Sequence, residues 1–262
     1  ILDDTPAAGS WQGFSFETYA YITLDGFVIR HSPYAGITLP SGGALGTRVF
    51  NCEVKFSWKH GILGNGSIGA LIQGNNVHDC VTENWERLNT SGGWASGINP
   101  LLSSAITIVN NVSHNNNGEG ICLTRSGGVQ VLQNTVYDNW GVNIYFDGAS
   151  YSLADSNLLY VTFNEPVTSI TANTPRAFVM ADEQVSAMLG SVTITNNVGI
   201  RCAAGVFFFD MGIPGTGVKN WRISNNTFVD CRRQGLWFVS GAHSNTEIKN
   251  NVFTAQDSPN LL

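Results

Sequence analysis

One residue type recurs at one register along most of this chain, and that recurrence restricts the fold more than any other feature. Aligning the apolar residue that follows each turn gives Val28, Val54, Val77, Val112, Val136, Leu159, Val198, Phe228 and Val252. The gaps between them are 26, 23, 35, 24, 23, 39, 30 and 24 residues. Two positions before each stand Gly26, Cys52, Asn75, Asn110, Asn134, Asn157, Asn196, Asn226 and Asn250, so seven of the nine are Asn. A period near 23–24 residues built of short strands is the mark of a solenoid. Each unit can bury its apolar side only against its neighbours, so the core runs continuously along the axis. Stacked Asn amides can hydrogen-bond from one unit to the next, which accounts for Asn rather than Ser or Asp. Asn139 lies off this register and is expected to contribute little.

Residues 115–148 show the unit most clearly. A strand follows Gly120 (Ile121 to Thr124), then a Gly turn, a strand from Val129 to Leu132, an Asn turn at Asn134, and Val136. Asn143 to Asp147 repeats the first strand one unit later. Phe14 and Phe16 read as part of an early strand, with Ile1, Leu2 and Asp3 ending the one before. The turns explain the composition: 29 Gly and 27 Asn stand beside only 12% charged residues, about half the usual share. With 43% hydrophobic residues the chain is not disordered. It reads as all-β, one undivided domain over residues 1–262. Leucine-rich repeats share the period but need a Leu frame and helical returns, both missing here.

On these residues the chain resembles the right-handed parallel β-helix proteins of the pectate-lyase-like superfamily, over nearly its whole length. The resemblance implies a single-stranded right-handed parallel β-helix of about nine rungs with an Asn ladder, and an extracellular protein that acts on or binds polysaccharide. The motifs NTD, DD, GHG and RIK of polygalacturonases, RxPxxR of pectate lyases and DPHD of alginate epimerases are missing, so no named reaction carries over. Terminal units normally need polar caps, and neither end carries an amphipathic capping helix. Caps outside this sequence, or ends that stack on a second copy as a homo-oligomer, both fit. A chain starting at Ile1 reads as a mature form or a fragment.

A net charge of −6 and a pI of 5.2 argue against nucleic acid or an anionic membrane as the main partner. No apolar run approaches the roughly 20 residues of a membrane span. The five cysteines lack metal spacing and read as buried apolar residues; Cys202 and Cys231 fall near equivalent points and could pair. None of the five His shows HExxH spacing, and His78 and His114 read as turn residues.

Long gaps mark inserted loops, which on a rigid scaffold tend to carry function. Residues 79–97 bring Trp85, Glu86, Arg87 and Trp94, and residues 161–176 bring Glu165 and Arg176. Residues 182–190 and 210–217 are shorter excursions. Alternation along the strand after each Gly places Ile37, Ile121, Leu123, Ile144, Phe146, Phe178, Met180, Val206 and Phe208 inward. Outward lies an aromatic stripe of Tyr145, Phe207 and Trp237, suited to sugar faces or equally to burial under loops.

Carboxylates recur on successive rungs at Asp147, Asp182 (followed by Glu183) and Asp210, with Arg125 one rung earlier. Tolerated like charges suggest a cation, a shared proton or catalysis, and solvated turn acids are the bland alternative. Glu119, just before the central strand, can point into the groove or sit in a turn. Rungs spaced ~4.8 Å put Asp147 and Asp210 two steps apart, compatible with the carboxylate pairs of glycosidases. A lyase would use Asp182 and Asp210 to hold Ca²⁺ against a uronate, with Arg125 or Arg87 as base or charge neutraliser. The leading expectation is a polysaccharide lyase or glycoside hydrolase. Its catalytic set is Asp147, Asp182, Asp210, Arg125 and Glu119, and its substrate contacts are Tyr145, Phe207, Trp237, Trp85 and Arg87. A non-catalytic carbohydrate-binding module and a filament or spike subunit are the alternatives.

Overall fold

The computed structural model describes residues 11–87, 95–162, 175–183, 190–239 and 241–255. Three nine-stranded sheets, each parallel throughout, wind into a right-handed parallel β-helix. Every third strand in sequence joins the same sheet, so one rung is three strands. The first sheet runs from Phe14–Ser15 to Gln234–Phe238, the second from Thr23–Asp25 to Glu247–Lys249, and the third from Val28–Arg30 to Val252–Ala255. The residues expected to point inward in the first sheet are buried in one core that extends along the axis. Ile1, Leu2 and Asp3 lie outside the described residues.

A single left-handed residue makes the turn between the second and third sheets on every rung. Gly26, Asn51, Gly74, Asn110, Gln133, Ser156, Asn196, Asn225 and Asn250 all have positive φ there. On every rung after the first, where Phe27 is exposed, the next residue points inward, and this is where amides stack. Asn75, Asn111, Asn134, Asn157, Asn197, Asn226 and Asn251 form a column in which each Nδ2 donates to the following Oδ1 at 2.9–3.0 Å. Each of the first six also donates Nδ2 to a carbonyl of the preceding rung, as Asn134 does to Ile108 at 2.9 Å.

The register read from the sequence is therefore off by one residue at four rungs, the first being the one that turns at Gly26. Asn110, Asn196 and Asn250 occupy the left-handed position, and Asn111, Asn197 and Asn251 hold the column. The aligned core positions shift likewise: Ile29, Ser113, Gly199 and Phe253 replace Val28, Val112, Val198 and Val252. Val28, Val198 and Val252 are in fact exposed. Asn suits both places, because it tolerates positive φ and its amide stacks. Asn139 also proves structural. It is fully buried, accepts from the Asn116 amide at 2.8 Å and donates to Ser113 O at 3.0 Å.

A second column precedes the first sheet. A Cβ on Gly120 would lie 2.5 Å from Val136 Cγ1, and one on Gly97 would lie 2.6 Å from Ser113 Oγ. Only Gly lets the chain pass this close to the core. The tight passage breaks the alternation: Asn143 and Ile144 both face inward, so Val142 and Tyr145 both belong to the outer side. His78 and His114 are strand residues rather than turn residues. Their rings stack at 4.9 Å, and His114 stacks on Tyr137 at 4.7 Å. All five cysteines are buried and free, Cys202 and Cys231 included.

Candidate active site on the outer face of the first sheet

Each inserted loop enters or leaves the first sheet. Residues 79–97 and 161–176 lead into Ser96–Leu101 and Arg176–Ala181, while 182–190 and 210–217 follow Arg176–Ala181 and Ala204–Phe209. The outer face of this sheet thus lies between loops at both ends of its strands. Trp94, Glu165 and much of the loops lie outside the described residues.

Three rows of side chains cross that face. Ser96, Glu119, Val142 and Arg176 form the first. Asn99, Cys122, Tyr145, Val179, Phe207 and Trp237 form the second, and Thr124, Asp147, Ala181 and Phe209 the third. Tyr145 and Phe207 are only 8% and 6% exposed and pack with Cys122, Val142, Val179, Ala181 and Ala204 in an apolar cluster outside the barrel. Both side chains are therefore packed rather than open to solvent. Trp237 is half-buried, with its ring 4.8 Å from Phe207.

Glu119 is the first residue of Glu119–Thr124, not a turn acid, and it is 2% exposed. Ser96 Oγ donates to its Oε2 at 2.8 Å. Burial pushes this carboxyl up to about 8 against the Ser96 bond, and the charges of Glu183 and Asp147 add to the effect. Asp147 ends the neighbouring strand at 8% exposure, with Oδ1 buried and without a hydrogen-bond partner. Burial raises it to about 6, helped by the charges of Glu183 and Asp182 and opposed by the Glu183 backbone N–H and the Arg125 charge. The Tyr145 hydroxyl donates to Glu183 Oε1. Burial and that carboxylate hold the phenol well above its usual range. Burial likewise keeps the Cys122 thiol protonated, which removes it as a nucleophile.

Glu119, Tyr145, Asp147 and Glu183 are thus brought together on three adjacent rungs, with exposed Arg125 at the edge. Asp182 is buried beside them. Asp210 follows Phe209, at the end of the strand beside the one that ends before Asp182, and accepts from the Gly212 N–H at 2.8 Å. Among the described residues, no three His, Cys, Asp or Glu side chains are arranged to hold a metal ion. Trp85 is 71% exposed in the first loop. Arg87 Nε donates to Asn117 Oδ1 at 3.1 Å, two residues before Glu119.

The sequence reading missed Ser96 and the bond from Tyr145 to Glu183. Aligning Ser96-Gly97-Ile98 with Glu119-Gly120-Ile121 would have set Ser96 beside Glu119. Chemically the group pairs a carboxyl that stays protonated at neutral pH with one that is largely ionised, the division of labour of an acid–base pair.

Residues 12–154 and 83–257 match the family described as "Right handed beta helix region". No curated protein shows a significant sequence match. Among solved structures, the catalytic domain of a GH87 α-1,3-glucanase aligns at 12% identity and a TM-score of 0.58, over 90% of this chain and 47% of that one. Pectate lyase Pel9A aligns at 14% identity and 0.56, over 96% and 58%. PfbA, a surface adhesin of Streptococcus pneumoniae, aligns at 12% and 0.54, over 88% and 70%. The chain spans about half the length of the first two. At such identities the likeness is one of fold. No helix among the described residues is long and apolar enough to cross a membrane.

Proposed function

Because the chain belongs to the right-handed β-helix region family, we propose that it is an extracellular carbohydrate-active enzyme that cleaves a glycosidic bond on the outer face of its first sheet. One observation carries this reading: Glu119 and Asp147 are both buried on adjacent strands of this face, near enough for the Asp147 charge to act on Glu119, and burial raises Glu119 to about 8 but Asp147 only to about 6. Glu119 donates a proton to the leaving oxygen, and Asp147, charged and lacking a partner on Oδ1, supplies the opposing carboxylate. Tyr145 and Ser96 orient the set through Glu183 and Glu119. The α-1,3-glucanase and the pectate lyase, both polysaccharide-cleaving by name, use the same fold, which supports the substrate class.

The test is a broad polysaccharide panel with product analysis. New reducing ends without ultraviolet absorbance identify a hydrolase, and an unsaturated absorbing product identifies a lyase. In the lyase case Ca²⁺ at Asp182 and Asp210 belongs to the proposal, and a chelator stops turnover. A wild-type protein that cuts no member of the panel overturns the enzyme reading.

A non-catalytic binding protein is the second reading. The burial of Asp147 and Asp182 favours it, since both would have to be reached by substrate. Trp11, Tyr19, Tyr21, Phe27 and Val28 are exposed near the first rung, and Ile248 and Val252 near the last. Self-association of these apolar surfaces is tested by sedimentation over a concentration series.

A further inference from the structure

Near the acids lie two basic side chains that make no ion pair among the described residues. Arg176 begins its strand, and Arg176, Ala204 and Gln234 fall in one row across three strands. Arg233 immediately precedes Gln234, its backbone N–H bonded to Ala203 O at 3.0 Å. The Arg176 guanidinium lies over the Phe207 ring with Cζ 4.7 Å from the centroid. That stacking fixes its plane and leaves its N–H edge available. Among the described residues neither guanidinium has a side-chain hydrogen bond or an ion pair. They are close enough that the Arg233 charge acts against the Arg176 charge, while Tyr145 acts in its favour. Between them the chain places the small side chains of Ala203 and Ala204, both buried. Gln234 Oε1 is buried without a hydrogen-bond partner.

Two half-buried guanidiniums two strands apart whose charges oppose each other are costly unless an anion joins them. We propose that Arg176 and Arg233 form an anion subsite that holds a carboxylate or sulfate group of an acidic polysaccharide, with Gln234 accepting from a sugar hydroxyl. A fork of N–H donors matches the geometry of either oxyanion. The inference rests on the proposed function only in taking the ligand to be a saccharide. It goes beyond it in fixing the charge of the sugar and the residues that read that charge.

Titration calorimetry separates the two. Oligogalacturonate and oligoalginate are compared with their methyl-esterified forms, and sulfated glucan fragments with desulfated ones. The expected result is that one anionic series binds about tenfold or more tighter than its neutral counterpart, weakening as salt rises. Arg176→Gln and Arg233→Gln should each remove about that preference while neutral fragments bind unchanged. The salt dependence of the wild type needs no variant and stands even where a variant folds poorly. Glu119→Gln should keep the preference, so loss of turnover alone leaves the subsite intact. Which series is preferred tells carboxylate from sulfate. Equal binding of anionic and neutral members, no binding of any anionic member, or a preference untouched in both Arg variants overturns the subsite.

Discussion

Ser96 Oγ donates a 2.8 Å hydrogen bond to Glu119 Oε2 between adjacent strands, and both residues are buried. The bond favours the ionised carboxyl, yet burial wins and the group stays protonated to about pH 8. One hydroxyl does not replace the water that a carboxylate loses.

That balance has a cost in stability. An unfolded Glu releases its proton near 4.5 and the folded Glu119 near 8. Below the first value both states hold the proton. Between the two, only the unfolded chain loses it, so stability falls as pH rises and levels off above about 8. Glu119→Gln should therefore raise the melting temperature at pH 7 by more than at pH 4. Equal shifts at the two pH values would mean that Glu119 titrates normally.

Turnover should follow a bell. Asp147 must be ionised, which sets a rising limb near 6, and Glu119 must be protonated, which sets a falling limb near 8. Ser96→Ala removes the bond that favours the ionised form, so the alkaline limb should move to higher pH while the acid limb stays. A kcat/KM profile that falls with no shift of that limb would assign Ser96 to packing alone.

The amide column gives a sharper test of register. Asn111→Ala strips the side-chain bonds to Asn75, Ile72 and Asn134 and should cost about 1–3 kcal/mol. Asn110→Gly, one residue earlier at an exposed left-handed position, should cost a few tenths of that or nothing. Asn139→Ala should cost about as much as Asn111→Ala, because its amide bonds four buried groups. Urea midpoints for the three variants give the order directly.

The fold was legible because the turn needs a left-handed residue and the next position needs a stacking amide, and Asn meets both demands. For the same reason the register was not. In Asn110-Asn111, Asn196-Asn197 and Asn250-Asn251 either residue fits the pattern, and a Val precedes the true core residue on each of those rungs. The core residues that follow are Ser113, Gly199 and Phe253, two of which carry no apolar signal. The outward rows of Tyr145 and Asp147 were legible from alternation. Glu119 was not, because two consecutive inward residues at Gly120 and Ile121 break the count back from Cys122. Nor could local sequence show that Tyr145 and Phe207 are buried, since the burial of an outward residue is set by distant segments.

The protonation state of Glu119 is the centre of the proposed chemistry, and it can be observed without knowing the substrate. Protein labelled with ¹³C at the Glu side-chain carboxyls, with Glu119 assigned by its loss in Glu119→Gln, is titrated by NMR from acid to alkaline pH. The predicted result is one carboxyl whose midpoint lies near 8, shifting upward in Ser96→Ala. A midpoint near 4.5 for Glu119 would leave the face without a proton donor at neutral pH and contradict the proposed cleavage.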